Sequence, residues 1–575
     1  MRPEFDHERP TREWRLPPEV PDGVLAEAAV RGIPFILGRI LYARGLRDPA
    51  AMAAFISPLD YTQGDPFSLH DMGRAVARLR RAVREQEEIA VYGDFDADGL
   101  SATAVLVETL EALGARVRPY IPHRTQEGYG LNLQAIDGLR DSGVRLIVTV
   151  DCGIGNVAEV KHARQAGVDV LVTDHHSPPV DLPEAVAVVN PKHPACGYPF
   201  KQLAGVGVAY KMAQALVSDM EPGRWPELEN GLLDLVALGT VADVVPLLEE
   251  NRSLVRRGLK VLNATTRPGL RELAALAGLP MGALDEGHIG FGLAPRLNAA
   301  GRIDDALVAY EVLVTRGTEE AQKKARILQS HNEQRQRLLE SGLVQAIAVA
   351  QEYLPAEPIL VVDDDDFAPG VVGLIASRLT DDYGRPAVVI QREGEMSRGS
   401  ARSIAEFDIG AALSECAELL ERHGGHALAA GLTVRTENIP ALRERLTAIA
   451  ARELGGRRLQ PVIPIDAELP LASADWDTLR SIAHLPPFGC GNPEPVFLSR
   501  RVRVRDCRTV GRAGAHLRLA LRDGEEERTA IGFGLGGLAD SLPREIDIAY
   551  MLTVNEWNGS RRLELRLKDL RPSQG

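Results

Sequence analysis

No run of apolar residues in this chain reaches the roughly twenty needed to cross a bilayer, so no transmembrane helix is expected. The N-terminal stretch MRPEFDHERPTREWRLPPEVPDG is charged and proline-rich and lacks the apolar centre of a signal peptide. Cysteine is scarce. Five residues, an odd number without metal-type pairing, fit a reduced cytosol rather than a disulfide framework. Internal repeats and low-complexity tracts are missing too. Positive charge is in deficit: 66 Lys and Arg against 80 Asp and Glu leave a net charge of −14. That balance argues against a protein that coats nucleic acid indiscriminately. It is compatible with local basic surfaces and with carboxylates gathered at a metal site. A cytoplasmic location is expected, with no membrane partner.

What is present describes a multidomain globular chain. Its 575 residues exceed one core, and roughly 150 residues per domain suggests three or four. Residues 1–65 read as an irregular N-terminal extension, interrupted by Pro17, Pro18 and Pro21. Over 66–225, short β-rich runs (IAVY at 89–92, VRPYI at 117–121, RLIVTV at 145–150, VDVLVT at 168–173) alternate with helical stretches. This rhythm predicts a mostly parallel sheet covered by helices. Residues 226–345 read as a helical connecting segment that includes the charged stretch from Lys323 to Arg337. A smaller α/β unit follows over 346–455, and short alternating strands over 456–575 predict a β-barrel. The expected fold class is α/β: a parallel-sheet domain, a helical segment, a smaller α/β domain and a terminal barrel.

The chemistry gathers where predicted strands end. IAVY is followed by Gly93-Asp94-Phe95-Asp96-Ala97-Asp98-Gly99, RLIVTV by Asp151-Cys152-Gly153, and VDVLVT by Asp174-His175-His176. In an open parallel sheet, residues just past the carboxyl ends of strands line the ligand crevice. Asp243 in LGTVADVVPL adds a carboxylate within an apolar segment, where an unpaired charge is costly. Crowded carboxylates raise one another's pKa, and divalent metals relieve the repulsion. Oxygen ligands with one or two imidazoles suit Mn²⁺ or Mg²⁺ better than a thiolate-preferring ion. Two such ions about 3.5–4 Å apart activate water and stabilise a phosphoryl group in transfer. The pattern predicts cleavage of a phosphodiester or pyrophosphate.

Plainer readings exist for each piece. A D-x-D-x-D-G stretch suggests a calcium loop, but position 12 from Asp94 is Val105 rather than Glu, and the flank is a strand. Asp174 alone fits a helix N-cap. His175 and His176 alone fit ordinary core or surface histidines, and Cys152 fits a small packing residue. Only their conjunction favours a metal site.

GDFDADG, VDCG, TDHH and VADVVPL stand in the order of the four phosphoesterase motifs of the DHH superfamily, which the chain resembles. RLNAAGR (296–302), GSARS (399–403), GGHALAAG (424–431) and FGCGNPEPVF (488–497) resemble further motifs of the RecJ exonuclease family. The resemblance runs from about residue 70 to about 570. Phe95 and Phe488 stand where tyrosine is frequent. It implies a metal set of Asp94, Asp96, Asp98, Asp151, His175 and Asp243, with Asp151 bridging two Mn²⁺ or Mg²⁺ ions. The family pattern allows Asp94 to be a ligand or a neighbour of one. Asp174 would orient His175, and His176 would face the phosphate, stabilising charge or assisting the leaving group.

The second α/β unit resembles the DHHA1 domain. Its Gly424-Gly425-His426 turn would allow close backbone approach to substrate, with His426 a third catalytic candidate; the plainer reading is a tight turn with an incidental histidine. Ser400 and Arg402 offer a hydroxyl and a guanidinium suited to a terminal phosphate. Arg296, Asn298 and Arg302 are further candidates for contact with the strand backbone. The barrel resembles an OB fold, and Arg501, Arg503 and Arg505 alternate along one predicted strand, so all three are expected on one face. Arg500, Arg508 and Arg512 extend that patch, opposed nearby only by Asp506. Such a groove tracks single strands; a solvated strand face is the plainer alternative. Aromatics are sparse there, so phosphate contacts are expected to dominate.

The expected activity is 5′-to-3′ hydrolysis of single-stranded DNA to mononucleotides in repair and recombination. Polarity and DNA preference follow from the resemblance. The resemblance also implies a monomer working with a helicase and a single-strand-binding protein. A DHH phosphodiesterase on short oligonucleotides or cyclic dinucleotides is the alternative enzyme, and such proteins typically lack the terminal barrel. Family II pyrophosphatase fits less well, because Tyr92 stands where its pattern has histidine. A non-catalytic replication scaffold would have lost metal ligands, and here every ligand position is filled.

Overall fold

The computed structural model describes residues 12–57, 63–124, 126–353, 357–455, 457, 459–557 and 560–573. Ser57–Arg335 and Leu485–Pro493 form one compact unit, and the remaining segments form another.

In the first unit the β-rich runs become five parallel strands: β1 (Glu88–Gly93), β2 (Arg116–Tyr120), β3 (Val144–Val150), β4 (Asp169–Thr173) and β5 (Ala187–Val189). Their order is β2-β1-β3-β4-β5. The direction of winding reverses between β1 and β3, the switch point where such sheets open a crevice. Apart from the edge strand β2 (RVRPY), the strands are largely apolar because both faces are covered. Ile89, Val91, Val148 and Val150 face the core shared with α1 (Ala97–Ala112) and α2 (Gly205–Met220). Ala90, Tyr92, Ile147 and Val172 pack on the opposite face.

The helical segment expected as a connector is built into that same core. From α3 (Trp225–Ala242) come Leu235 and Leu238, from α4 (Ala294–Ile303) Leu297, and from the 36-residue α5 (Thr318–Tyr353) Leu328. Leu485–Pro493, which carries FGCGNP and falls within the 456–575 segment expected as the barrel domain, also belongs here. Leu247 N donates to Cys490 O (2.8 Å), Arg252 to Leu485 O (2.5 Å) and Phe488 N to the Glu286 carboxylate (2.5 Å). Fully buried Asn492 knots the segment by donating to Leu485 O and Pro487 O. It therefore braces the stretch just after Asp243.

The second unit contains a five-stranded mixed sheet. Its strands are β6 (Leu360–Asp364), β7 (Ala387–Gln391), β8 (Met396–Arg402), β9 (Leu420–His426) and β10 (Ala429–Arg435), with α6 (Val372–Tyr383) between β6 and β7. The order β9-β10-β8-β7-β6 leaves β9 on an edge. The barrel comprises β11 (Phe497–Val510), β12 (His516–Asp523), β13 (Glu526–Gly532), β14 (Glu545–Trp557) and β15 (Ser560–Pro572). It runs β11-β12-β13-β15-β14 and closes by pairing β14 with β11.

The N-terminal extension is not irregular over its described part, which corrects the expectation; residues 1–11 and 58–62 lie outside the described residues. Asp22–Val30, Phe35–Ala43 and Pro49–Ile56 are helices. The prolines punctuate rather than prevent them: Pro21 and Pro34 are N-caps and Pro49 opens the third helix, positions where a missing N–H costs nothing. Glu13–Arg15 pairs in parallel with Val462–Pro464. Trp14 is buried against Ile463, Val496, Leu498, Ala549 and Met551, and its indole N–H donates to Asp569 (2.7 Å). Replacing Trp14 with alanine should cost about 3–5 kcal/mol and lower the thermal midpoint of this unit. An unchanged melting curve would show that the segment is dispensable.

Candidate metal centre at the sheet switch point

Three loops leaving β1, β3 and β4 converge with the end of α3. Ligand atoms of Asp94, Asp96 and Asp151 lie within 4.8 Å of one another, as do those of Asp98, His175 and Asp243, and those of Asp151, His175 and His176. His175 Nε2 is 3.0 Å from Asp151 Oδ1 and 3.7 Å from Asp243 Oδ2. Asp94 Oδ1, Asp151 Oδ1, Asp243 Oδ2 and both ring nitrogens of His175 are buried without a hydrogen-bond partner. Buried polar atoms are normally satisfied, so such a cluster of orphaned acceptors fits divalent cations. Asp151 and His175 each belong to two of the three groups.

Electrostatics agree. Burial first, then the neighbouring carboxylates, raise Asp94 and Asp151 well above the ordinary carboxylate range. The same causes push Asp98 to about 7 and Asp243 to about 9. His175 is pushed down to about 3, chiefly by burial and then by His176. A neutral imidazole among carboxylates that resist ionising together is the donor set of a cation site.

Backbone construction fixes these groups. Asp96 caps α1, accepting from the amides of Asp98 and Gly99 (2.9 and 3.1 Å), a favoured role for Asp. Asp98, in the first turn of α1, accepts from the α2 N-terminal amides of Gly205 and Val206 (2.7 and 2.9 Å). A Cβ at Gly205 would lie 2.6 Å from Asp151, and one at Gly239 would lie 2.8 Å from Asp98 Oδ1. Only glycine lets α2 and α3 approach so closely. Asp151 (φ 62°) and Val244 (φ 62°), the residue after Asp243, are left-handed. For a β-branched valine that is a strained conformation.

Asp174 serves a different partner from the one expected. Its Oδ1 accepts from His176 Nδ1 (2.8 Å) and from the amides of His175 and His176, while Oδ2 accepts from Ile154 N (2.9 Å). It orients His176, not His175. Nδ1–H donation leaves Nε2 of His176 as the available nitrogen. Burial opposes it, but the Asp174 hydrogen bond and charge raise the His176 pKa. Burial likewise pushes Asp174 up, yet His176 brings it below its ordinary value.

Family models match in three places: the DHH family N-terminal domain over residues 88–240, the DHHA1 domain over 351–452 and the RecJ OB domain over 465–569. The single-stranded-DNA-specific exonuclease RecJ of Bacillus subtilis is 39% identical over 94% of this chain and 68% of its own length. That of Dickeya dadantii is 35% identical over 98% of both chains. The chain belongs to the RecJ family. Among solved structures, RecJ of Thermus thermophilus in complex with Mn²⁺ is similar with a TM-score of 0.83, at 33% identity, over 98% of this chain and 80% of that one. Its complex with Mg²⁺ gives a TM-score of 0.77.

The remaining candidates fall out unevenly. Asn298 accepts from Ala97 N (2.7 Å), so its side-chain oxygen pins the acidic loop instead of facing a strand. Arg296 and Arg302 are half-buried on α4. Ser400 and Arg402 are side by side on β8 (3.0 Å), and a Cβ at Gly373 near the start of α6 would be 3.1 and 3.2 Å from them. Gly424, Gly425 and His426 form the exposed end of edge strand β9; the turn itself is at 427–428, which corrects the expected GGH turn. They line a groove of about 380 Å³ with Asp408 and His423.

Arg501, Arg503 and Arg505 are all exposed, with Val502 buried and Val504 half-buried between them, but the strand that carries them is bulged. Register breaks between Ser499 and Val502 and between Val504 and Asp506, and a left-handed Arg501 (φ 54°), mark the bulges. Asp506 is not the sole opposing acid, because Arg503 pairs with Glu545 (3.1 Å) and Arg500 with Glu468 (2.6 Å). Arg501 and Arg505 remain exposed. Cross-strand register instead aligns Arg508, Arg518, Ile531 and Arg566 over four strands. Phe533, 51% exposed, lies under the Arg566 guanidinium (5.5 Å) and edge-on to His516 (5.1 Å).

Sequence reasoning missed three neighbours of the centre. Tyr129 Oη is 3.1 Å from both Asp151 O and His176 Nδ1. Arg124 lies over the Phe95 ring (4.9 Å) within the field of Asp94 and Asp96. Lys192 feels Asp243 and Asp174. The first two sit in the loop PHRTQEGYG after β2, and a polar loop at a strand's carboxyl end was the available signal.

Two outcomes are expected. Gly239→Ala should weaken Mn²⁺ binding about 10–100-fold, the usual cost of disturbing a ligand's surroundings, as read by calorimetric titration. Metal-free protein should also lose stability as pH rises from about 4 towards 7 to 9. In that window the folded state keeps protons on Asp98 and Asp243 that the unfolded chain, with pKa 3.8, has released. Thermal midpoints with chelator and with Mn²⁺ should therefore diverge as pH increases; a constant gap would contradict the assignment.

Proposed function

We propose that this chain is a metal-dependent exonuclease that degrades single-stranded DNA from the 5′ end to mononucleotides, in repair and recombination. The observation that carries it is the cluster of buried, partnerless carboxylate and imidazole atoms at the switch point, in a chain of the RecJ family. Asp94, Asp96, Asp98, Asp151, His175 and Asp243 are assigned to hold two Mn²⁺ or Mg²⁺ ions. Bound there, such ions supply Lewis acidity and a water of lowered pKa.

The chain's own residues do the rest. Asp174 fixes His176 so that Nε2 faces the phosphate and moves a proton to the leaving oxygen. Arg124 and Lys192 offset carboxylate charge and attract phosphate. Ser400 and Arg402, beside the start of α6, receive the terminal phosphate, since helix N-termini favour anions. His426, with Gly424 and Gly425 giving backbone access, contacts the strand, as do Arg296 and Arg302. On the barrel Arg501, Arg505, Arg518 and Arg566 hold phosphates while Phe533 stacks a base. The same reading divides the chain into DHH, DHHA1 and OB domains with boundaries near 66, 226, 346 and 456. It also makes the protein a cytoplasmic monomer that receives strands from a helicase or single-strand-binding protein.

Single-stranded DNA labelled at either end, incubated with Mn²⁺, tests the proposal. The 5′ label should appear at once as a mononucleotide, and Asp98→Ala and Asp151→Asn should reduce release to background while keeping the wild-type circular dichroism spectrum. Near-normal activity in both variants would sink the site assignment. Turnover of dinucleotides alone would point to a small-substrate phosphodiesterase.

A further inference from the structure

Phe291 is 91% exposed, more than any other aromatic side chain among the described residues. It sits in Ile289–Leu293, a single π-helical turn that runs directly into α4. Such turns are less favourable than α-helix and concentrate at functional sites. The location is close to the acidic loop. Asn298, two turns further along, holds Ala97 N, and a Cβ at Gly301 would lie 3.0 Å from Phe95 O. On the other side, a Cβ at Gly290 would lie 3.9 Å from Val241, two residues ahead of Asp243.

An arginine is tied to the same turn. Arg296 donates to Gly292 O (2.6 Å), the carbonyl next to Phe291, and to Gln329 (2.8 Å). Arg335, held by the buried Asn332 (2.9 Å), lies near enough to Arg296 for the two charges to oppose each other. A carbonyl and two side-chain amides hold these guanidiniums, so positive charge is left to be matched from outside. Glu333, hydrogen-bonded by the neutral Gln329 (2.8 Å), offsets part of the Arg296 charge, so one acid faces two guanidiniums. An exposed ring beside a carbonyl gripped by a partly neutralised arginine, with a second arginine close to the first, suits single-stranded nucleic acid, which offers bases to stack and phosphates to contact.

We infer that Phe291, Arg296 and Arg335 form a subsite on the metal-binding unit that stacks one base of the single strand and holds its phosphates. The inference rests on the nuclease reading above. Asp98→Ala protein, which does not cut, is titrated with single strands carrying 2-aminopurine at successive positions. One position should be quenched; adding Phe291→Ala should remove that quench and weaken binding about tenfold, and Phe291→Trp should restore both. Arg296→Gln and Arg335→Gln should each lower the slope of log affinity against log salt by about 0.7. In cleavage-competent protein, Phe291→Ala should raise KM more than it lowers kcat. Strand affinity within twofold of the parent, with the quench intact, would overturn the subsite and leave Phe291 to a protein partner. If wild-type protein fails to digest single strands at all, the nuclease reading falls instead, so the two failures are distinct.

Discussion

Mutual repulsion among buried carboxylates is the constraint around which the first unit is organised. Two unit charges 4 Å apart repel by about 4 kcal/mol at an effective dielectric of 20, and Asp94, Asp98, Asp151 and Asp243 are crowded more than once over. Much of the surrounding structure serves to hold them there. Amides of α2 clamp Asp98, glycines admit α2 and α3, left-handed backbone aims Asp151 and follows Asp243, and the FGCGN segment braces the stretch beyond it. Bound cations, or protons held on Asp98 and Asp243 in their absence, offset the repulsion.

Adjacent histidines in that crevice are driven to opposite tasks. His175, buried beside another imidazole, stays neutral and is suited to a cation. His176 is tied to Asp174 and Tyr129, so it holds its proton more firmly and presents the other ring nitrogen. Environments that separate the pKa values of like groups assign acid and ligand roles without any difference in side-chain chemistry.

The acidic balance of the chain and its strand-binding role are compatible because positive charge is placed locally. Several conspicuous arginines, including Arg500 and Arg503, are consumed by ion pairs. Others are placed differently: Arg566 lies over Phe533, and Arg296, close to Arg335, holds the carbonyl next to Phe291. Base stacking with a few phosphate contacts binds a flexible single strand without the broad basic surface that a duplex would require.

Sequence by itself determined the parallel sheet, the order of its strands and helices along the chain, and the barrel, because each is written in local periodicity. Asp94, Asp151 and Asp174 follow directly on strands, so chain connectivity alone puts them on one edge. Only tertiary structure decided who serves whom. The partner of Asp174 depends on the fold of a loop, and the bulges beside Arg501 and Arg505 depend on register shifts that no two-residue pattern reveals. The N-terminal helices and the FGCGN segment likewise find their places through contacts hundreds of residues away in the chain. Period and motif report what a segment can bury; which surface buries it is settled when distant segments pack.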